Sequence, residues 1–219
     1  MKRTFLFLLV ALLPLLALPQ GIITRPTKKP TQTTTPAQKP PKKHNVINGH
    51  EYVDLGLSVR WATTNVGASS PSDYGYYFAW GETSTYTEAN SRTRKTSMGD
   101  IAGNAAYDAA RANWGGTWRL PTKAEYEELA NQCTWTWTTQ GGHNGYRVTG
   151  KNGNSIFFPA AGCRIGSSLD NVGELGSYWS STPYESNTEH AYLLGFDSSY
   201  SGVFRYYRSY GRSVRPVSE

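Results

Sequence analysis

The sequence predicts an α+β domain in which two short helices are followed by a mostly antiparallel, hairpin-rich sheet. Three observations lead there. Two segments with helix caps come early, opening at Asp108 and Thr122. Later apolar alternations flank turn sequences such as Asn152-Gly153. All seven Trp and all 15 Tyr lie beyond residue 44, in a glycine-rich stretch whose composition suits short strands and tight turns.

Composition divides the chain into three parts. Residues 1–21 carry Lys2 and Arg3, then an apolar run from Phe5 to Ala17 interrupted by Pro14. At ~1.5 Å per residue that run reaches about 20 Å, short of a ~30 Å bilayer core, and reads as a secretory signal peptide. Residues 22–44 hold six basic residues and no acidic ones among many Pro and Thr, and read as a disordered linker. Residues 45–219 form the expected domain, large enough for one hydrophobic core. No apolar segment beyond the leader is long enough to span a membrane, so a secreted, periplasmic or cell-surface protein is expected.

The formal charge of +6 is concentrated at the N-terminus. Eight of the 22 Lys and Arg lie in residues 1–44, leaving 14 against 16 acidic residues, so residues 45–219 sum to −2. The domain shows no basic face and no nucleic-acid-binding signature, and nucleic acid is not an expected partner.

Within the domain, Val53, Leu55, Leu57, Val59 and Trp61 alternate with polar residues or glycine and predict a strand over Tyr52–Trp61. Tyr76–Trp80 reads as a short aromatic strand, and Gly81–Gly103 as irregular. Asp108 caps a helix through Ala112 that Gly115-Gly116 stops. Thr122 and Glu125 have capping-box spacing at the start of a second helix, running to about Gln132. Tyr146–Thr149 and Ser155–Phe158 flank Gly150–Asn154 as a hairpin, and Tyr192–Phe196 with Val203–Tyr207 predicts another. Val214–Val217 makes a last strand, which Pro216 places at an edge or strand end.

Four ordered motifs run through this domain: WRLPTKAEYEEL (Trp118–Leu129), NGNSIFFPAAG (Asn152–Gly162), YWSSTP (Tyr178–Pro183) and SVRPV (Ser213–Val217). Together they resemble the Fibrobacter succinogenes major paralogous domain, a family of secreted or surface-exposed bacterial modules. The likeness covers Glu51 to Val217. It implies a C-type lectin-like fold, akin also to formylglycine-generating enzymes, with first and last strands side by side.

The chemistry of those relatives does not carry over. The oxidase's closely set late cysteines have no counterpart, since none follows Cys163. The lectins' calcium triplets are absent too. Calcium needs several converging oxygens, and the compact cluster of Asp170, Asn171 and Glu174 reads as a solvated loop. No metal or other cofactor is expected. His44, His50, His143 and His190 lack His-Glu-x-x-His spacing, and no serine sits in a Gly-x-Ser-x-Gly elbow. Glu125, Glu127 and Glu128 suit the positive end of a helix dipole. No catalytic residue is assigned, and an enzyme is not expected.

Cys133 and Cys163 are the only cysteines. In an exported chain they read as a structural disulfide, with two reduced core thiols as the alternative.

The remaining candidate is the stretch from Tyr184 to Tyr210, dense in Tyr, Ser, Asn, Asp, Glu and Arg. Tyrosine offers broad amphipathic contact at low entropy cost, and Ser and Asn add adaptable hydrogen bonding. Tyr184, Asn187, Glu189, Asp197, Tyr200, Arg205, Tyr206, Arg208 and Tyr210 are the candidate ligand-binding residues. The expected function is a non-catalytic binding module that takes a glycan or protein at the cell surface. The alternatives are a structural or fimbria-associated envelope subunit and, more weakly, a polysaccharide-acting enzyme.

Overall fold

The computed structural model of the chain describes residues 45–92 and 98–219. The expected signal peptide and linker lie outside the described residues. The domain opens with β1 (Asn45–Ile47) and β2 (His50–Val53), joined by Asn48-Gly49. Both turn residues have positive φ, 44° and 82°, matching the right-handed twist of the paired strands. β3 (Arg60–Ala62) pairs antiparallel with β2, with Val53 opposite Trp61.

Tyr52–Trp61 is therefore a hairpin rather than one strand. Asp54 Oδ1 accepts from Gly56 N at 2.7 Å, and Gly56 adopts φ 75°. That turn reverses the chain while Leu55 and Val59 drop into the core. Period-two spacing persists because apolar residues on both sides of the loop point inward.

Both helices form where their caps predict. Asp108 accepts from Ala110 N and Arg111 N to open α1 (Ala109–Trp114). Its second oxygen accepts from Gly103 N at 2.7 Å and Leu120 N at 2.9 Å, so one buried carboxylate ties the helix to two loops. α2 (Lys123–Gln132) carries both halves of the capping box, and its buried face is Tyr126 and Leu129.

From there every regular element is a strand. β4 (Thr134–Gln140), β5 (His143–Thr149) and β6 (Ser155–Pro159) form a meander. β7 (Cys163–Ile165) and β8 (Ser168–Asp170) make a small hairpin. β9 (Gly176–Pro183), β10 (His190–Phe196) and β11 (Ser201–Tyr207) form a three-stranded sheet in the order β11-β10-β9. β12 (Val217–Ser218) returns to the first sheet, with Val217 opposite Trp61. Phe78 makes only an isolated bridge to Arg212, so Tyr76–Trp80 is not a regular strand.

The expected α+β, C-type lectin-like fold is thus corrected. Among the described residues the two α-helices span six and ten residues, and four small antiparallel sheets supply the rest of the framework. The reason is local. Gly115-Gly116 ends α1, and the threonine–tryptophan alternation from Thr134 takes over directly after α2. The fold is β-rich.

Two buried clusters hold these sheets together. Trp61, Tyr126, Leu129, Phe158, Tyr178 and Phe196 belong to one, and Trp80, Trp114, Trp118 and Trp179 to the other. The arginine of the SVRPV motif is a tie inside them. Arg215 is fully buried and donates to Asn65 Oδ1 (2.8 Å), Ala62 O (3.0 Å), Thr63 O (3.2 Å) and Phe157 O (2.9 Å). Burial lowers its pKa to about 10, so it stays charged at neutral pH, with its donors met by carbonyls.

Candidate functional site

The β9–β10–β11 sheet carries a pocket that its glycines open. In the pairing register Gly195 faces Gly202 and Phe196 faces Gly176. A methyl group on Gly176 would stand 1.9 Å from the Phe196 ring, and one on Gly195 2.8 Å from the Phe204 ring. Absent side chains there let both rings lie against the strands. Above them is a cavity of about 380 Å³, within the range of small-ligand sites.

Five aromatic side chains line it: Phe196, Tyr200, Phe204, Tyr206 and Tyr210. Tyr200, Phe204 and Tyr206 are 60%, 44% and 45% exposed, an unusual outlay of ring surface to solvent. Tyr200 and Phe204 meet edge to face at 5.8 Å, and Tyr206 lies 5.4 Å from Tyr210.

Arg212 also lines this cavity, although it is only 3% exposed. Its guanidinium carbon sits 4.7 Å from the Tyr206 ring centre and 5.0 Å from that of Trp179. Nη1 donates to Ser177 Oγ, whereas Nε is buried without a hydrogen-bond partner. Desolvation lowers its pKa to about 10, so it is still a cation at neutral pH.

Apart from Arg208, the expected ligand residues divide into three groups. Asp197, Tyr200, Arg205, Tyr206 and Tyr210 line the pocket. Tyr184 supports one of them, its ring centre 4.7 Å from the Arg205 guanidinium. Asn187 and Glu189 belong to the β9–β10 connection, where Asn187 Oδ1 accepts from Glu189 N at 2.8 Å. Asp197 shapes the β10–β11 turn, since its Oδ1 accepts from Ser199 N, Ser199 Oγ and Tyr200 N. Those bonds, the Ser199 backbone first, hold its carboxyl below the usual aspartate range.

Arg208 is a correction. It was expected to project toward a ligand, but it is 4% exposed and packs over Trp80. Neighbouring residues on a strand face opposite sides, and the β11 end turns Arg208 inward.

The expected disulfide is a second correction: Cys133 and Cys163 are free thiols. Cys133 ends α2, where Glu128 and Lys151 are its charged neighbours; Cys163 opens β7 beside Arg212 and Asp170. The two sulfurs occupy different surroundings. Burial raises the pKa of both. Asp170, Asn171 and Glu174 lie in and after β8, in a turn where Asn171 O accepts from Glu174 N and Leu175 N.

Sequence reasoning missed Arg212, Phe204 and the two glycines. The legible signal was the Arg-Ser-x-Gly-Arg spacing around Tyr210, but burial of the second arginine depends on its bridge to Phe78.

A family profile described as "Domain of unknown function (DUF8237)" matches residues 136–217, a span that includes every pocket-lining residue. Neither the curated proteins nor the solved structures contain a match to the chain. Among the described residues no helix is long and apolar enough to cross a membrane.

Proposed function

We propose that this chain is a non-catalytic, exported binding module that recognises a glycan or protein at the cell surface through the β9–β11 pocket. Membership of the family suggested by the four sequence motifs is part of the same proposal. One observation carries it. Three large rings stand half-exposed around a preformed cavity, where a stable domain gains nothing by leaving them in water. Rings fixed by edge-to-face contacts lose little entropy on binding, and they offer stacking area to a sugar face or a side chain.

The test is a glycan-array and surface-protein capture screen using the full exported chain and its Tyr200→Ala/Phe204→Ala variant. The wild type should retain a ligand that the variant loses, with both melting at nearly the same temperature. Equal capture by a well-folded variant would remove the pocket from recognition.

A further inference from the structure

We infer that the β9–β11 pocket takes a monocarboxylate carried on an apolar, ring-sized body, with the Arg212 guanidinium meeting the carboxylate. This rests on the reading of the pocket as the binding site and adds the chemistry of what enters it.

Two of the three buried arginines, Arg215 and Arg212, make the case by contrast. Arg215 sends four hydrogen bonds to protein oxygens. Arg212 is nearly as buried, yet its guanidinium is bonded only to Ser177 Oγ, with Nε unpartnered. Among the described residues no carboxylate pairs with it. Its titratable neighbours are the Cys163 thiol and the Tyr206 and Tyr210 phenols, which are not carboxylates. A buried cation with an unmet donor is costly unless something supplies an anion and an acceptor.

The shape of that supply follows from geometry. Trp179 and Tyr206 lie near the guanidinium, and Nη1 is committed to Ser177. Nε is the donor left without a partner, and a guanidinium fork suits two oxygens in one plane. A carboxylate provides them with one negative charge. A phosphate dianion would bring a second charge among aromatic walls, and Arg205, the other cation lining the cavity, lies over Tyr184. Asp197, the one carboxylate in the lining, has an oxygen turned into its own loop by three hydrogen bonds. Phe196, Phe204 and Tyr200 leave an apolar space for the rest of the ligand.

Two sources share this chemistry, a free aromatic acid and the C-terminal residue of a polypeptide. Calorimetric titration of the full chain with 3-phenylpropionate, 3-phenylpropionamide, and a short peptide ending in Phe with a free or amidated terminus separates them. Each acid should bind about tenfold or more tightly than its amide, the usual consequence of losing a charge-assisted bidentate contact. A peptide acid tighter than 3-phenylpropionate assigns the polypeptide source, and the reverse assigns the free acid. Arg212→Gln should erase the preference for acid over amide, and Arg212→Lys should keep part of it. Because Arg212 is buried, Arg205→Gln serves as the second variant: it should keep the preference for acid over amide, and losing that preference there overturns the assignment to Arg212. Equal affinity for acid and amide overturns the inference. If the Tyr200→Ala/Phe204→Ala variant still loses the captured surface ligand, that failure leaves the site itself standing.

Discussion

The Arg208 guanidinium lies 4.1 Å from the centre of the Trp80 ring, and Trp80 N donates to Arg208 O at 2.9 Å. Arg208 Nε completes the link by donating to His190 O at 2.8 Å. A residue in a tyrosine-rich, surface-like segment therefore joins β10 to the tryptophan cluster. Replacing Arg208 by Ala removes a desolvated cation–π contact and charged hydrogen bonding, and should lower stability by about 2–4 kcal/mol. Urea unfolding measures this; a change below about 0.5 kcal/mol, the level of a bland surface site, would contradict it.

The pocket floor makes a sharper prediction. A methyl group at Gly176 would stand 1.9 Å from the Phe196 ring, so Gly176→Ala should destabilise by about 1–3 kcal/mol through overpacking. Adding Phe196→Leu should recover part of that loss. Additive losses in the double-mutant cycle would mean that the two positions do not meet.

How much of this was readable follows from the range of the interactions. Caps act over three or four residues, so Asp108, Thr122 and Glu125 gave both helices nearly to the residue. Hairpins with short loops, such as Thr149 opposite Ser155, were equally open to reading. The reversal at Asp54–Gly56 was not, because alternation along one strand and across a tight loop looks the same. Arg208 and Arg212 are the clearest limit. Both sit among exposed tyrosines in sequence, and only contacts with Trp80 and Trp179, distant along the chain, bury them. The pocket's rim was legible as a tyrosine-rich stretch; its floor, built by cross-strand register, was not.

The start of α2 offers a test of local design. Glu125 serves the capping box and also accepts from Arg119 Nη1 at 2.9 Å and Nη2 at 2.6 Å, with both side chains 13% exposed. Thr122→Ala should cost about 1 kcal/mol. Glu125→Ala should cost more, roughly 3 kcal/mol, because it leaves a largely buried guanidinium with only the exposed Glu219 carboxylate, 3.6 Å away, for an anion. Circular dichroism melts would rank the two, and a reversed order would refute the dual role.

The thiols predict a pH effect of definite sign. Burial raises Cys133 and Cys163 above the ordinary value of 9.0. As pH rises past that value, the unfolded chain releases these protons while the folded chain keeps them. Their contribution is present below the unfolded value and fades as pH climbs through the folded one. Urea midpoints should therefore fall between neutral and strongly alkaline pH, less steeply in Cys133→Ala/Cys163→Ala. Unreduced protein should show two thiols, of which the buried Cys163 reacts with a disulfide reagent only on denaturation while the half-buried Cys133 reacts sooner. An intact mass short by two hydrogens would instead establish the bridge.

Val217 pairs with Trp61 on one side and, through reciprocal backbone bonds of 2.9 and 3.0 Å, with Arg119 on the other. A seam that must wait for residue 217 cannot close while the ribosome is still adding earlier residues. Contacts between such distant stretches form slowly. The sheet that β1 opens is therefore completed only after translation has passed β12, whatever the later meanders do before then.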